Sequence, residues 1–270
     1  KGTAGSQALI HFARYFSDQE IVWYFDPSKP TQSVGEGASL AFPENLFNNI
    51  GFSHNDLEKV NGTFKTGIYK ENWGTANKSF FHDFPPPSLS YHFSAVELQN
   101  YIETMMEDKV EIVRKSVDYN NVDADFVLNA TGASKDLESF SLSEYIPVNA
   151  AYITQCYWDS PTFNYSLNIA AKHGWVFGIP LKNRCSIGYL YNNKINTKEE
   201  IQEDVKEFFE KYNLTPSDQT NSLSFNNYYR KNNYEHDGRL VHSGNASFFL
   251  EPLEATSIAV MNQIQRTAFD

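Results

Sequence analysis

The strongest constraint on this chain is a turn near its start. Gly2-Thr3-Ala4-Gly5 runs directly into residues 4–16, where Ala8, Leu9, Phe12, Ala13 and Phe16 share one face at helical spacing. Ser17-Asp18 closes that stretch, and Ile21-Val22-Trp23-Tyr24-Phe25 reads as a buried strand with Asp26 at its C-terminal end. A glycine turn opening a helix, with an acid roughly 20 residues further on, is the back half of a dinucleotide fingerprint. Glycine is needed where backbone approaches a pyrophosphate closely. The helix N-terminus then offers free N–H donors and a positive dipole end. Asp26 would accept hydrogen bonds from a ribose. A plain tight turn before a helix, with Asp26 as a solvated acid, fits the same residues equally well.

Further along, residues 27–39 are rich in Pro, Gly and Ser and read as loop, and 53–72 carry a mixed pattern. Ser94-Ala95-Val96-Glu97 reads as a capping box, followed at helical spacing by Leu98, Tyr101, Ile102 and Met105. Val110–Val113 and Phe126–Leu128 read as strands, and residues 147–191 as a meander of strands. Thr197–Tyr212 is a second boxed helix, with Thr197 and Glu200 as the box and Ile201, Val205, Phe208 and Tyr212 as its buried stripe. A last helix starts near Thr256. This order predicts a mixed α/β fold.

Composition removes several function classes. The 270 residues carry a formal net charge of −11, whereas nucleic-acid binding needs a basic face. No run approaches the roughly 18 apolar residues of a membrane span. Cys156 and Cys185 are the two cysteines. They cannot make a disulfide framework, so a reduced cytoplasmic setting is expected. No ligand spacing argues for a metal.

Five segments in order carry a resemblance. They are Gly2-Thr3-Ala4-Gly5, Val34-Gly35-Glu36-Gly37, Phe64-Lys65, Gly174-Trp175-Val176-Phe177-Gly178-Ile179-Pro180 and Phe249-Leu250-Glu251-Pro252-Leu253-Glu254-Ala255-Thr256-Ser257. Together they resemble the flavin-dependent tryptophan-halogenase family over nearly the whole chain. The last segment is the longest and most specific; the glycine turn is shared by many flavoproteins. The resemblance implies an α/β FAD-binding Rossmann-like fold of the hydroxylase/halogenase type, with an inserted, mainly antiparallel sheet. Residues 1–270 would form the FAD-dependent core, and 147–230 a substrate-side sheet and helix insertion.

The family uses reduced FAD, oxygen and a halide to make hypohalous acid, which passes through a tunnel to an electron-rich aromatic ring. Lys65 matches the catalytic lysine and Glu254 the catalytic glutamate. Read alone, Lys65 would be a surface lysine, but the task needs an amine in a partly desolvated site. A carboxylate near the ring can stabilise the cation and accept its proton. Free amides at Thr256 and Ser257 would bind the halide. Cofactor contacts are implied for Gly2, Thr3, Ala4, Gly5 and Asp26, for the strap Val34, Gly35, Glu36 and Gly37, and for Gly132, Gly244 and Asn245. His82 and Phe84 match the family's His-x-Phe that sandwiches substrate; a satisfied histidine beside a core Phe is nearly as good a reading. Trp175, Phe177, Ile179 and Pro180 would form the barrier and tunnel between flavin and substrate.

The chain departs from the family pattern in places. Phe177 stands where the signature has a second Trp, and Gly244-Asn245 replaces Gly-Asp. Ser94 stands where an acid is common, and both are good N-caps. The resemblance also implies a strand before Lys1, central in the FAD sheet, and a helical region after Asp270, so the chain is expected to be part of a longer polypeptide. No second nucleotide fingerprint is visible, so a separate flavin reductase would supply reduced FAD. The expected partners are that reductase and a small aromatic substrate, with no nucleic acid and no membrane; a homo-oligomer stays open. Two other readings compete: an FAD-dependent aromatic monooxygenase, and a non-catalytic flavin-binding fragment.

Overall fold

The computed structural model describes residues 1–31, 36–134, 136 and 138–268, with the backbone alone at position 254. The first half runs α1 (Thr3–Tyr15), β1 (Val22–Tyr24), α2 (Ala41–Ile50), a 3-10 turn (His54–Val60), β2 (Thr63–Lys65), β3 (Gly67–Glu71), β4 (Ser79–Asp83), β5 (Ser90–His92), α3 (Ala95–Met106), β6 (Glu111–Val113) and β7 (Val127–Asn129). The second half runs β8 (Phe140–Leu142), β9 (Ala150–Tyr157), β10 (Ser166–Ala171), β11 (Gly174–Pro180), β12 (Arg184–Tyr191), α4 (Lys198–Lys211), β13 (Pro216–Ser224), β14 (Tyr228–Arg230), β15 (Tyr234–Glu235), β16 (Leu240–His242), β17 (Phe248–Phe249) and α5 (Thr256–Arg266). The expected α/β class holds.

Two cores organise these elements. In one, Leu9 and Ile10 of α1, Phe42 and Leu46 of α2, Leu98 and Ile102 of α3 and Ile258 of α5 pack around Trp23, Phe25 and Phe93. Two parallel pairs, β1 with β6 and β7 with β16, bring strand ends toward this helical cluster. The other core belongs to a seven-stranded sheet ordered β13-β9-β12-β11-β10-β3-β4. Its pairings are antiparallel except β3 with β10. One face packs on α4 through Ile201, Val205, Phe208 and Phe209. The other carries Trp175, Ile153 and Leu190. Strands covered on both faces have no solvent side to make polar, which is why β9 and β12 read as near-continuous apolar runs. Between the cores lies the short β2–β5 ribbon, joined along β5 by a bridge from Gly37 to His92.

Several elements go beyond what the periodicity predicts, among them α2, the 3-10 turn after it, β4, β5 and the strands from β13 to β16. Pro43 sits in the first turn of α2, where a missing N–H costs nothing; the helix begins just after the 27–39 stretch read as loop. The helix closes on Gly51 at φ +70, a left-handed cap. The β4 strand is exposed at every position and therefore has no alternation to find.

One cap also differs from expectation. Ser94 accepts from the Glu97 amide at 3.4 Å, but Glu97 does not reach back. The Ser94 amide already donates to the Val60 carbonyl at 2.9 Å, so there is no free donor for it. At α4 both halves of the Thr197/Glu200 box form. Among the described residues no helix is long and apolar enough to cross a membrane, and no acid, His and Cys cluster could hold a metal.

Candidate active site

Gly2 caps α1 with extended backbone and no side-chain bond, and the first turn carries no acidic residue. The opening amides of α1 are therefore not met by a carboxylate of their own helix. Three segments converge there. A Cβ at Gly5 would lie 3.6 Å from Ala130, just ahead of Gly132, and a Cβ at Gly244 would lie 2.6 Å from the Cβ of Ala4. Gly132 and Gly244 both need left-handed backbone, at φ +97 and +61.

Whether this cradle suits a dinucleotide can be tested on its empty sides. A Cβ at Gly2 or Gly132 would meet nothing within 4 Å. The Ser6 hydroxyl, both amide atoms of Gln7 and the Ser243 hydroxyl are buried without partners. Orphaned polar atoms beside an open helix N-terminus fit a pyrophosphate-bearing ligand such as FAD. At the far end, Asp26 accepts from the Ser28 amide at 2.9 Å, the Ser28 hydroxyl at 2.6 Å and the Ser116 hydroxyl at 2.6 Å. The Ser116 and Ser28 hydrogen bonds bring its carboxyl down to about 2. A ribose would therefore meet a charged acid whose oxygens are already shared with serines. Asn245 contributes its carbonyl to the Tyr228 hydroxyl at 2.7 Å.

Val34 and Gly35 lie outside the described residues. Glu36 is fully buried, and its carboxylate takes both arms of Arg184 at 2.6 and 2.8 Å and the Ala95 amide at 3.3 Å. The Arg184 guanidinium also donates to the Gln155 side chain at 2.6 Å. Glu36 thus fastens the segment after the strap to β12 and to the start of α3. Gly37 follows, bridged to His92 on β5.

Lys65 ends β2 and is only 3% exposed. Its Nζ donates to the Ala38 carbonyl at 3.0 Å and stands 5.6 Å from the Phe84 ring centre. Burial alone lowers its pKa to about 8. A lysine so placed is half neutral near pH 8, held in a nearly dry setting beside an aromatic face. Phe84 is tied into place by its amide on the Thr66 carbonyl at 3.0 Å, and His82 meets it edge-on at 6.3 Å. His82 itself is exposed on β4.

Trp175 is buried on β11, and its indole N–H donates to Glu251 at 2.8 Å. Phe177 packs beside it at 6.1 Å, and Trp73 lies 6.3 Å away on the other side. Pro180 pairs with Cys185 at the end of β11, and Ile179 would be 3.8 Å from a Cβ at Gly37. The chain beyond Glu251 makes a short turn, Leu253–Ala255, before α5. Ala255 is left-handed at φ +55, a strained setting for a side-chain residue that aims the first turn of α5. Thr256 and Ser257 open that helix, the Thr256 hydroxyl folding back to the Leu253 carbonyl at 3.1 Å. The side chain of Glu254 lies outside the described residues.

The sequence reading missed Arg184, Thr63 and His92. Arg184 and Thr63 carry no local signal. His92 sits in Tyr91-His92-Phe93 just ahead of a helix cap, and a polar residue inside a short apolar run was the available hint.

Comparisons with known proteins bear on the family and the fold. The family model for tryptophan halogenase matches residues 1–114 and 99–267. The chain is 29% identical to the tryptophan 7-halogenase RebH of Lentzea aerocolonigenes, over 95% of its own length and 66% of that protein's. It thus spans just under two thirds of that curated relative. A solved flavin-dependent halogenase from Xanthomonas campestris superposes with a TM-score of 0.84 at 18% identity, covering 98% of this chain and 68% of that one. Another from Brevundimonas gives 0.80 at 18% identity, covering 98% and 69%. These structures share the FAD-binding Rossmann-like fold seen here. The chain belongs to the tryptophan halogenase family.

Proposed function

We propose that this chain carries the core of a flavin-dependent halogenase that acts on an electron-rich aromatic compound. The observation that carries the reading is Lys65: a buried amine with a lowered pKa, fixed on a backbone carbonyl and facing Phe84. A lysine serving only solubility would not be desolvated at this cost.

Bound reduced FAD, with oxygen, supplies the oxidising power that turns halide into hypohalous acid. The protein's own residues do the rest. The first-turn amides after Gly2, including those of Thr3, Ala4 and Gly5, would receive the pyrophosphate, with Gly132, Gly244 and Asn245 near it and Asp26 for the ribose. The strap residues Val34, Gly35, Glu36 and Gly37 would contact the flavin, and Glu36 is anchored on Arg184. Amides of Thr256 and Ser257, presented by the left-handed Ala255, hold the halide. Trp175, Phe177, Ile179 and Pro180 separate flavin from substrate and direct the oxidant. Lys65 hydrogen-bonds the neutral hypohalous acid. His82 and Phe84 hold the ring. The halogen then bonds to a ring carbon as the oxygen–halogen bond breaks, and Glu254 takes the displaced ring proton and passes it to the departing hydroxide, which leaves as water.

Reduced FAD would come from a separate flavin reductase. Cys156 and Cys185 face each other across β9 and β12 as free thiols, which fits a reducing cytoplasmic setting. The test is product mass spectrometry with the full-length protein, FAD, a flavin reductase, oxygen, and a panel of indoles and phenols with chloride, bromide or iodide. Halogenated product is expected, and it is lost in Lys65→Ala. Oxygenated product without halide would replace this reading by an aromatic monooxygenase. No product of either kind would leave a flavin-binding role alone.

A further inference from the structure

Lys65 rides on a weak support. The β2–β5 ribbon has two strands and three register pairs, Thr63 with His92, Phe64 with Tyr91 and Lys65 with Ser90. A two-stranded ribbon this short is marginal by itself. The Lys65 amine also reaches across β5 to the segment beyond it. That segment is tied to β5 by the Ala38 amide on the Tyr91 carbonyl at 3.1 Å and by the Ser90 hydroxyl on the Ser39 carbonyl at 2.7 Å. If β5 shifts, both the strand that bears the lysine and the carbonyl that holds it shift.

The last residue of β5 is His92, whose side chain is 0% exposed. Its Nε2 lies 2.9 Å from the Ser166 hydroxyl on β10, and its Nδ1 lies 3.2 Å from the Thr63 hydroxyl on β2. Thr63 has one hydrogen, and it goes to the Pro180 carbonyl at 2.6 Å. A carbonyl only accepts, so Thr63 must accept from Nδ1–H. Nε2 then keeps its lone pair and accepts from Ser166. A neutral imidazole with its hydrogen on Nδ1 satisfies both of these side-chain contacts. Burial and the charge of Lys65 oppose ring protonation and outweigh the Phe64 carbonyl that favours it. The ring is also flanked: a Cβ at Gly37 would lie 3.7 Å from its Cδ2.

We propose that His92 is a positioning residue for Lys65, a neutral imidazole that locks the lysine's ribbon to β10 through Ser166 and to the end of β11 through Thr63 and Pro180. The proposal rests on the reading of Lys65 as the working amine. It makes His92 the point where the lysine strand, the end of the strap and the end of the tunnel strand share one set of hydrogen bonds.

The test follows Lys65 in the flavin-free protein. Its labelling by an amine-reactive anhydride is measured against pH by peptide mass spectrometry in wild type, His92→Phe, His92→Asn and Thr63→Val. Wild type should label slowly with a midpoint near 8, the value set by burial. His92→Phe keeps an aromatic ring and removes both polar atoms; Lys65 should label faster, with its midpoint moved toward lysine's ordinary 10.5. His92→Asn keeps a donor for Thr63 but not the acceptor for Ser166, and should fall between wild type and His92→Phe. In the halogenation assay, His92→Phe should lower kcat by roughly 100-fold, the scale of a misplacement of about 1 Å, while FAD affinity holds. A lower melting temperature with an unchanged Lys65 profile would mark a merely structural histidine and overturn the proposal. If His92→Phe does not fold, Thr63→Val decides, because it leaves the ring and the core volume in place; an unchanged profile there also overturns it. A labelling shift in a protein whose wild type makes no halogenated product would refute the proposed activity and leave the positioning role standing.

Discussion

The indole N–H of Trp175 donates to the carboxylate of Glu251 at 2.8 Å, joining two segments 76 positions apart. Glu251 is held from its other side by its own amide on Asn227 at 2.9 Å, and Asn227 donates to the Val148 carbonyl at 2.7 Å. Leu253 packs against the same Trp175 cluster. Strand β11 thus sets where the turn before α5 begins, and with it the first-turn amides of Thr256 and Ser257, the proposed halide site. Trp175→Phe keeps ring bulk and deletes only the donor. A hydrogen bond to a charged acceptor contributes about 1.5–3 kcal/mol. The halide concentration for half-maximal product formation should therefore rise by roughly tenfold or more, tenfold being about 1.4 kcal/mol. Glu251→Gln, which still accepts from the indole, should lose much less. Halide titration of product formation measures both, and an unchanged requirement in Trp175→Phe would refute the link.

Lys65 makes stability depend on pH in a direction opposite to most lysines. Its folded pKa, about 8, lies below the unfolded 10.5, so between these values the unfolded chain binds more protons than the folded one. Stability must then rise with pH across that window, because the charged form is the one that burial penalises. The full shift corresponds to roughly 3 kcal/mol. Other groups titrate there too, so the comparison is with Lys65→Met. From pH 8 to 10.5 the stability difference should move in favour of wild type by about that amount. Urea melts at three pH values read it. A difference that stays flat, or moves the other way, would show that Lys65 is solvated in solution.

How much of this could be read beforehand depends on the range of the interaction. The helices α1 and α4 repeat every turn, and α4 begins with a complete capping box, so local pattern suffices. The β9–β12 meander shows as apolar runs because both its faces are covered. Lys65 is different. Nothing around Phe64-Lys65-Thr66 says that the amine is buried; that follows from Ala38, 27 positions earlier, lying across β5 from it. Glu36 looks like part of a glycine loop until Arg184, 148 positions later, closes on it. The β2 and β5 strands are three residues each, too short for any period to show. The motif order pointed to the lysine, and only the packing explains how its amine is dried and aimed.

The Glu36–Arg184 pair should behave as a buried ion pair whose halves cannot be removed singly. The glutamate is fully buried and the arginine side chain is 11% exposed. Glu36→Ala leaves the guanidinium hydrogen-bonded to Gln155, with Glu97 nearby, and should destabilise the fold by about 3 kcal/mol. Replacing both, Glu36→Met with Arg184→Met, removes the stranded charge and should be less damaging than either single change. Chemical denaturation of the three variants tests this. A double variant as unstable as the sum of the singles would mean that the two side chains act independently.

Gly244 lets α1 present its first turn. Its backbone is left-handed at φ +61, and a Cβ there would lie 2.6 Å from the Cβ of Ala4, inside any real contact distance. Gly238 is the natural control, with φ +88 but nothing within 4 Å of an added Cβ. Gly238→Ala should incur backbone strain alone, about 1 kcal/mol. Gly244→Ala adds a collision with a helix that Gln265 also holds, by its amide on the Ala4 carbonyl at 3.1 Å, so Ala4 cannot retreat freely. Strain and overpacking together should cost roughly 2–4 kcal/mol. The collision falls on the turn whose amides are proposed to receive the pyrophosphate, so FAD affinity should fall in Gly244→Ala and hold in Gly238→Ala. Thermal melts and flavin-fluorescence titrations separate the two effects. Equal FAD affinity in both variants would show that Ala4 and its neighbours are not where the dinucleotide binds.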